Sequence, residues 1–283
     1  MKNLVKIIAA SALLLAGCEE VNDPNEQSPN AGKMNVSVKS AASDSGFMNG
    51  DKVGLFVVYD DEVMYNNIDL EYDYSSVTWR PSENLYWKDS STPADLYCYY
   101  PYHEDFATLH GGVVWNIDNQ SSLDQYRNSD VLLGCVQGAS PSNNLIGIRV
   151  NHVMSHLVVK LEAGNGFSAE EVSNATVEIR NVDTEAWINV GEQVVTSTGN
   201  VGSISPYFNN GQYCAHIVPC TVDNTELVHI TIGDNEYSLN QTIEFESGKE
   251  YICTIKLSKA DQGVNIGITD WITQSKDYGG VIW

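Results

Sequence analysis

The chain has 283 residues, enough for two ordinary domains or one large β domain. Its 37 acidic residues outweigh 15 basic ones, for a formal net charge of −22. Such a surface argues against nucleic acid or anionic lipid binding through the protein body, and it suits a solvated exterior outside the cell or a cation-rich partner.

Lys2 and Lys6 precede an apolar run over residues 7–17, and the acidic pair Glu19-Glu20 follows Cys18. A basic head, a short apolar middle and small residues before a cleavage point mark a secretory signal. The run is well short of the ~20 residues that cross a bilayer. Leu13-Leu14-Leu15-Ala16-Gly17-Cys18 resembles the lipobox of bacterial lipoproteins, whose cysteine thiol receives a diacylglyceryl group before cleavage and whose freed amine is then acylated. This resemblance implies a lipoprotein signal peptide at 1–17 and lipidation of Cys18. Three acyl chains on one residue anchor far more firmly than one. Removing 1–17 takes away two lysines and no acid, so the mature chain is more acidic still. Residues 18–33 carry almost nothing apolar and read as a flexible tether. Acids directly after a lipidated cysteine also resemble the surface-export signal of Bacteroides-type lipoproteins.

From Met34 the pattern is that of strands. Val36 and Val38 put apolar side chains on one face of a candidate first strand at 34–40. Residues 53–59 form a continuous apolar run of strand length, expected to be buried on both faces. Residues 60–74 are acidic and asparagine-rich and read as a long loop or an edge hairpin. Further strands are expected at 78–79, 85–87, 96–100, 113–117 and 131–133, with Pro101 stopping the third of these. The second half offers 146–153, 157–161, 175–181, 212–218, 227–232, 251–257 and 264–271, and a single helical turn at 167–171. No stretch of ten residues keeps a helical period. About seven strands per half, punctuated by glycine and asparagine, predict an all-β chain of two tandem β-sandwich domains at 34–150 and 151–283.

Few residues invite chemistry. His152 and His156 stand four apart, but on an extended segment that spans about 13 Å, too far for two ligands of one metal ion. Asp60-Asp61-Glu62 lacks the alternating oxygen ligands and glycine of a calcium loop. Nucleophile-elbow, phosphate-loop and dinucleotide fingerprints are absent, so no enzyme activity, catalytic residue or cofactor is expected. Trp79, Tyr86, Trp87, Tyr97, Tyr99, Tyr100 and Tyr102 could form a sugar-stacking platform, although alternation favours core packing for them. Beyond Cys18 the cysteines are Cys98, Cys135, Cys214, Cys220 and Cys253. Being odd in number, at least one is free or pairs between chains. Their spacings match no zinc pattern, and most are expected to pack as small apolar residues.

The order of motifs is more specific than any one of them. Gly50-Asp51-Lys52-Val53-Gly54-Leu55-Phe56-Val57 is followed by Tyr65-Asn66-Asn67-Ile68, Tyr86-Trp87, Tyr99-Tyr100-Pro101-Tyr102, Asp118-Asn119-Gln120-Ser121 and Ser129-Asp130-Val131-Leu132. Asn151-His152-Val153-Met154-Ser155-His156-Leu157, Ile217-Val218-Pro219, Gly248-Lys249-Glu250-Tyr251 and Ile268-Thr269-Asp270-Trp271 complete the series. It resembles the fimbrillin family of Bacteroidales surface fimbriae, the Mfa-like and FimA-like lipoproteins, over nearly all of residues 34–271. The resemblance implies two transthyretin-like β-sandwiches in a fimbrial subunit on the outer membrane. Its partners would be other fimbrial subunits, the membrane through the lipid on Cys18, and a host or bacterial surface receptor. In such subunits a protease removes the leader and first strand, and a neighbour's strand fills the groove. Val281, Ile282 and Trp283, at the end of the segment 272–283, are then the candidate polymerisation strand. Two departures stand out. The family's maturation is arginine-specific, yet no arginine precedes Arg80, only Lys33 and Lys39 lying near the first strand; and Cys220 follows Pro219 where glutamine is expected. The competing expectations are a glycan-binding surface lipoprotein with an exposed aromatic platform, and a hydrolase with opposed carboxylates ~5–10 Å apart.

Overall fold

A computed structural model describes residues 32–40, 46–260 and 263–274, with the backbone alone for 260 and 263–274. The expected signal peptide, Cys18, most of the tether, and Val281, Ile282 and Trp283 lie outside the described residues. The described chain is nearly all β, as composition and alternation predict. Its first half contains β1 (Val36–Ser40), β2 (Lys52–Tyr59), β3 (Glu62–Asp73), β4 (Thr78–Pro81), β5 (Ala94–Tyr100), β6 (Val113–Asn116), α1 (Leu123–Asn128), β7 (Leu132–Ala139) and β8 (Ile146–His152). Then follow β9 (Ser155–Ala163), α2 (Ala169–Ser173), β10 (Thr176–Asp183), β11 (Glu185–Asn189), β12 (Val194–Ser197) and β13 (Val201–Ile204). β14 (Tyr207–Asn209), β15 (Gln212–Ile217), β16 (Cys220–Ile232), β17 (Asn235–Phe245), β18 (Glu250–Ala260) and β19 (Gly263–Gln274) complete it.

One seven-stranded sheet runs β1-β8-β7-β5-β2-β3-β4. Its central strand β2 explains the unbroken apolar run: Val53, Leu55 and Val57 enter one core with Leu70, Trp79 and Val150, while Phe56 and Val58 enter a second. Both faces are covered, so no polar alternation survives in the sequence. The second core is shared with residues of β9, β10, β15, β16 and β18. A five-stranded sheet, β14-β15-β9-β18-β19, and a four-stranded one, β13-β10-β16-β17, supply most of it. Strand β6, from the first half of the chain, pairs antiparallel with β11 from the second in a three-stranded sheet β12-β11-β6.

Several local expectations change. Of the two expectations for residues 60–74, the long loop fails and the hairpin holds, though not at the edge: β3 pairs antiparallel with β2 and lies between it and β4, and Asp60 and Asp61, both with positive φ, make the tight turn. Register shifts against β2 and a positive φ at Asn67 interrupt the alternation, so Tyr65, Ile68, Leu70 and Tyr72 are buried without a strict period of two. Two bulges likewise hide the first half of β16. Residues 85–87 form no strand; Tyr86 makes one bridge to Lys33, flanked by Met34 N–H to Leu85 C=O and Trp87 N–H to Gly32 C=O. The helical turn anticipated at 167–171 is α2, capped reciprocally by Ser168 and Glu171. Helix α1 was not among the expected elements; it is six residues long and opens with the matching box of Ser122 and Gln125. The five described cysteines are free thiols; Cys98, Cys214 and Cys253 are buried, Cys220 half-buried and Cys135 exposed.

Candidate assembly edge at the first strand

Strand β1 is the shortest route from sequence to a site. Its five residues form one edge of the seven-stranded sheet and run parallel to β8, with Val36 opposite Ile146, Val38 opposite Ile148 and Ser40 opposite Val150. Val38 is buried and Val36 half-buried, while Lys39 points the alternation outward. A parallel neighbour cannot be joined by a tight hairpin, and the chain from β1 reaches β8 only after six intervening strands. The first strand is therefore held by its ladder, its apolar side chains and a few local bonds, not by a turn. Among these, Ile146 N–H donates to Asn35 C=O at 2.9 Å, and the Asn35 amide donates to Asn144 C=O at 3.2 Å.

The opposite edge of the same sheet is β4, yet it comes round to meet β1. Trp79 Nε1 donates to the Val38 carbonyl at 2.9 Å, so the sheet curls until its two edges face across a seam. The indole is fixed from behind by Phe47, edge-on with centroids 4.9 Å apart, and by Tyr72 at 5.0 Å. A cavity of about 400 Å³ lies along this seam, lined by Met34, Val36, Leu70, Trp79, Leu85 and Leu145 among others. Two apolar side chains at its rim are solvated, Val77 at 66% and Leu145 at 59% exposure. An edge with one regular neighbour, an apolar floor and an incompletely filled seam is physically suited to exchanging one extended segment for another.

Other residues singled out by the sequence are placed as follows. Trp79, Trp87, Tyr99 and Tyr100 are buried in the cores, and Tyr86, Tyr97 and Tyr102 are half-buried, so they do not line up as an exposed platform. His152 ends β8 and His156 lies in β9 beyond a turn, so the two are not on one extended segment. Each instead engages a different carboxylate, Asp130 and Glu250 respectively. Pattern reading could not find this grouping, because His216 and Glu250 come from strands far along the chain. Of the candidate donor segment, Ile272–Gln274 belongs to β19, where Ile272, Thr273 and Gln274 pair with Ile252, Tyr251 and Glu250. β19 is itself the edge of the five-stranded sheet.

Comparison with known proteins places this architecture. A protein-family model described as fimbrillin-like matches residues 40–271. The chain is 24% identical, over 96% of its own length and 96% of the relative's, to a Bacteroides uniformis protein named "Putative fimbrium subunit Fim1C". A crystal structure titled "putative cell adhesion protein" from Bacteroides uniformis superposes with a TM-score of 0.70 at 19% identity, covering 86% of this chain and 98% of that one. One so titled from Bacteroides ovatus gives 0.67 at 16% identity, covering 84% and 95%. These structural likenesses establish a shared fold.

Proposed function

The chain belongs to the fimbrillin-like family, and from that premise we propose that it is a structural or accessory subunit of cell-surface fimbriae, assembling by β-strand exchange and supporting adhesion. The observation that carries this reading is the position of β1. Loss of that strand would bare the N–H and C=O groups of β8 beside the apolar side chains of Ile146, Ile148 and Val150. An incoming strand from a neighbour satisfies both at once. Val281, Ile282 and Trp283, beyond the edge strand β19, are the apolar end of the segment proposed to be donated. Residues 34–150 and 151–283 are proposed to act as the two β-sandwich domains of the subunit.

The same reading gives the chain a lipid on Cys18 after removal of 1–17, and a place on the outer membrane before or instead of cleavage. With no arginine between Cys18 and β1, an arginine-specific protease leaves the anchor in place. Its partners are other fimbrial subunits and a surface receptor on host or bacterium, and its role is mechanical, without catalysis or a cofactor. The test is N-terminal sequencing of the protein in sheared fimbriae and in outer membranes from the same cells. A start at modified Cys18 identifies an anchored accessory subunit, and a start between 34 and 40 identifies a cleaved polymerising one. Absence of the protein from fimbriae in both fractions refutes the reading.

A further inference from the structure

A cluster of ionisable side chains lies apart from the β1 edge, with Tyr126, Asp130 and His216 buried and His152, His156 and Glu250 half-buried. Asp130, between α1 and β7, sets its Oδ1 2.7 Å from His152 Nδ1 and 3.7 Å from His216 Nδ1. His156 Nδ1 lies 3.0 Å from Glu250 Oε2, and its Nε2 is 2.8 Å from the Tyr126 hydroxyl of α1. The rings are layered: Tyr126 over His216 at 4.5 Å, and His216 over His156 at 5.2 Å. His216 cannot move away easily, because buried Gln120 accepts from its N–H at 2.8 Å and donates to its C=O at 2.7 Å. Tyr207 and Cys214 interact with Tyr126, and Tyr100 with Asp130; Asp51 and Arg127 in turn face Tyr100, and Lys160 faces Cys214.

The hydrogen positions follow from the partners. A carboxylate only accepts, so His152 and His156 both carry their hydrogen on Nδ1. In neutral His156, Nε2 is then an acceptor and Tyr126 donates to it; burial raises the Tyr126 pKa well above its ordinary value, so the hydroxyl keeps its proton. A proton added to buried His216 places a cation between the rings of Tyr126 and His156. Burial opposes this and holds its pKa at about 3, with His156 and His152 adding to the depression and Asp130 working against it.

We infer that Asp130, His152, His156, His216, Glu250 and Tyr126 form an acid-labile joint that clamps α1 to β9 and β15 near neutral pH and lets it go on acidification. The sign follows from linkage. An unfolded or opened histidine titrates near 6.5 and His216 in the closed joint near 3, so the opened state binds more protons as pH falls below 6.5, and the clamp weakens there. The experiment is amide hydrogen exchange on the full chain between pH 7.5 and 5, corrected for the intrinsic pH dependence of exchange. The α1 amides and that of His216 are expected to open more readily as pH drops below 6.5, by up to roughly ten-fold per unit. Amides of β2 and β5 should stay unchanged. His156→Gln and His216→Gln, which carry amides that do not titrate, should flatten the profile in at least one case. A flat wild-type profile for α1 down to pH 5, which needs no variant, overturns the inference. So does an unchanged slope in both variants.

Discussion

Val38 and Trp79 share a bond that neither residue advertises. The valine is legible from alternation alone, Val36-Ser37-Val38-Lys39, and is buried as that pattern requires. That its carbonyl is covered by an indole 41 residues away depends on the curl of the sheet, which no local pattern encodes. Trp79→Phe keeps most of the ring but strips the donor, leaving the Val38 carbonyl short of a partner. We expect a loss of about 1–3 kcal/mol in urea unfolding, with β1 amides exchanging faster than those of β2. Asp130 is a second case. Burial pushes its carboxyl upward, but His152 and His216 outweigh this and hold the pKa at about 2. Because the folded value lies below the unfolded one near 3.8, this stabilisation is present above pH 3.8 and disappears as pH falls through 2. Asp130→Asn keeps the shape of the acceptor but removes its charge, and weakening the buried charge-assisted bond from His152 costs about 1–3 kcal/mol at neutral pH. A denaturant titration at pH 7 checks it.

Elements differ in how openly the sequence declares them. β2 and β5 are plain because a central strand is apolar on both faces. β3 and β16 are obscured because bulges swap the buried face partway along, and a strict period of two then fails. The turn at Asp60-Asp61 sits in a stretch that reads as a long loop or an edge hairpin, since aspartate tolerates positive φ but serves equally well in a solvated loop. Between β7 and β8 a glycine sets the spacing: a Cβ on Gly134 would run into the backbone of Arg149 and Val150. Gly134→Ala should therefore push β8 away from β7 and unsettle β1, which rests on β8. The expected cost is about 1–3 kcal/mol or more from overpacking. Thermal unfolding with limited proteolysis near residues 34–46 would register it, through a lower Tm and earlier cleavage ahead of β2.

At the scale of the whole molecule, the charge and the cores pull in different directions. A net charge of −22 repels itself over the surface, so added salt should raise Tm at neutral pH. A Tm that stays level or falls between about 20 and 300 mM sodium chloride would contradict this. The central sheet holds the molecule together by feeding both cores, alternate residues of β2 going to opposite sides. The sequence by itself determined the class of the chain, the approximate place of most strands, the acidic exterior and the family-like order of motifs. These follow from composition and short-range periodicity, which any strand must obey to bury one face or two. Only the tertiary structure decided that β1 lies parallel to β8 at an edge, that β4 curls round to it, and that three histidines and Glu250 from four strands meet Asp130 of the α1–β7 connection. Those are pairings across tens to more than a hundred residues. They are fixed by which faces must be buried together, and each contributing segment looks ordinary when read alone.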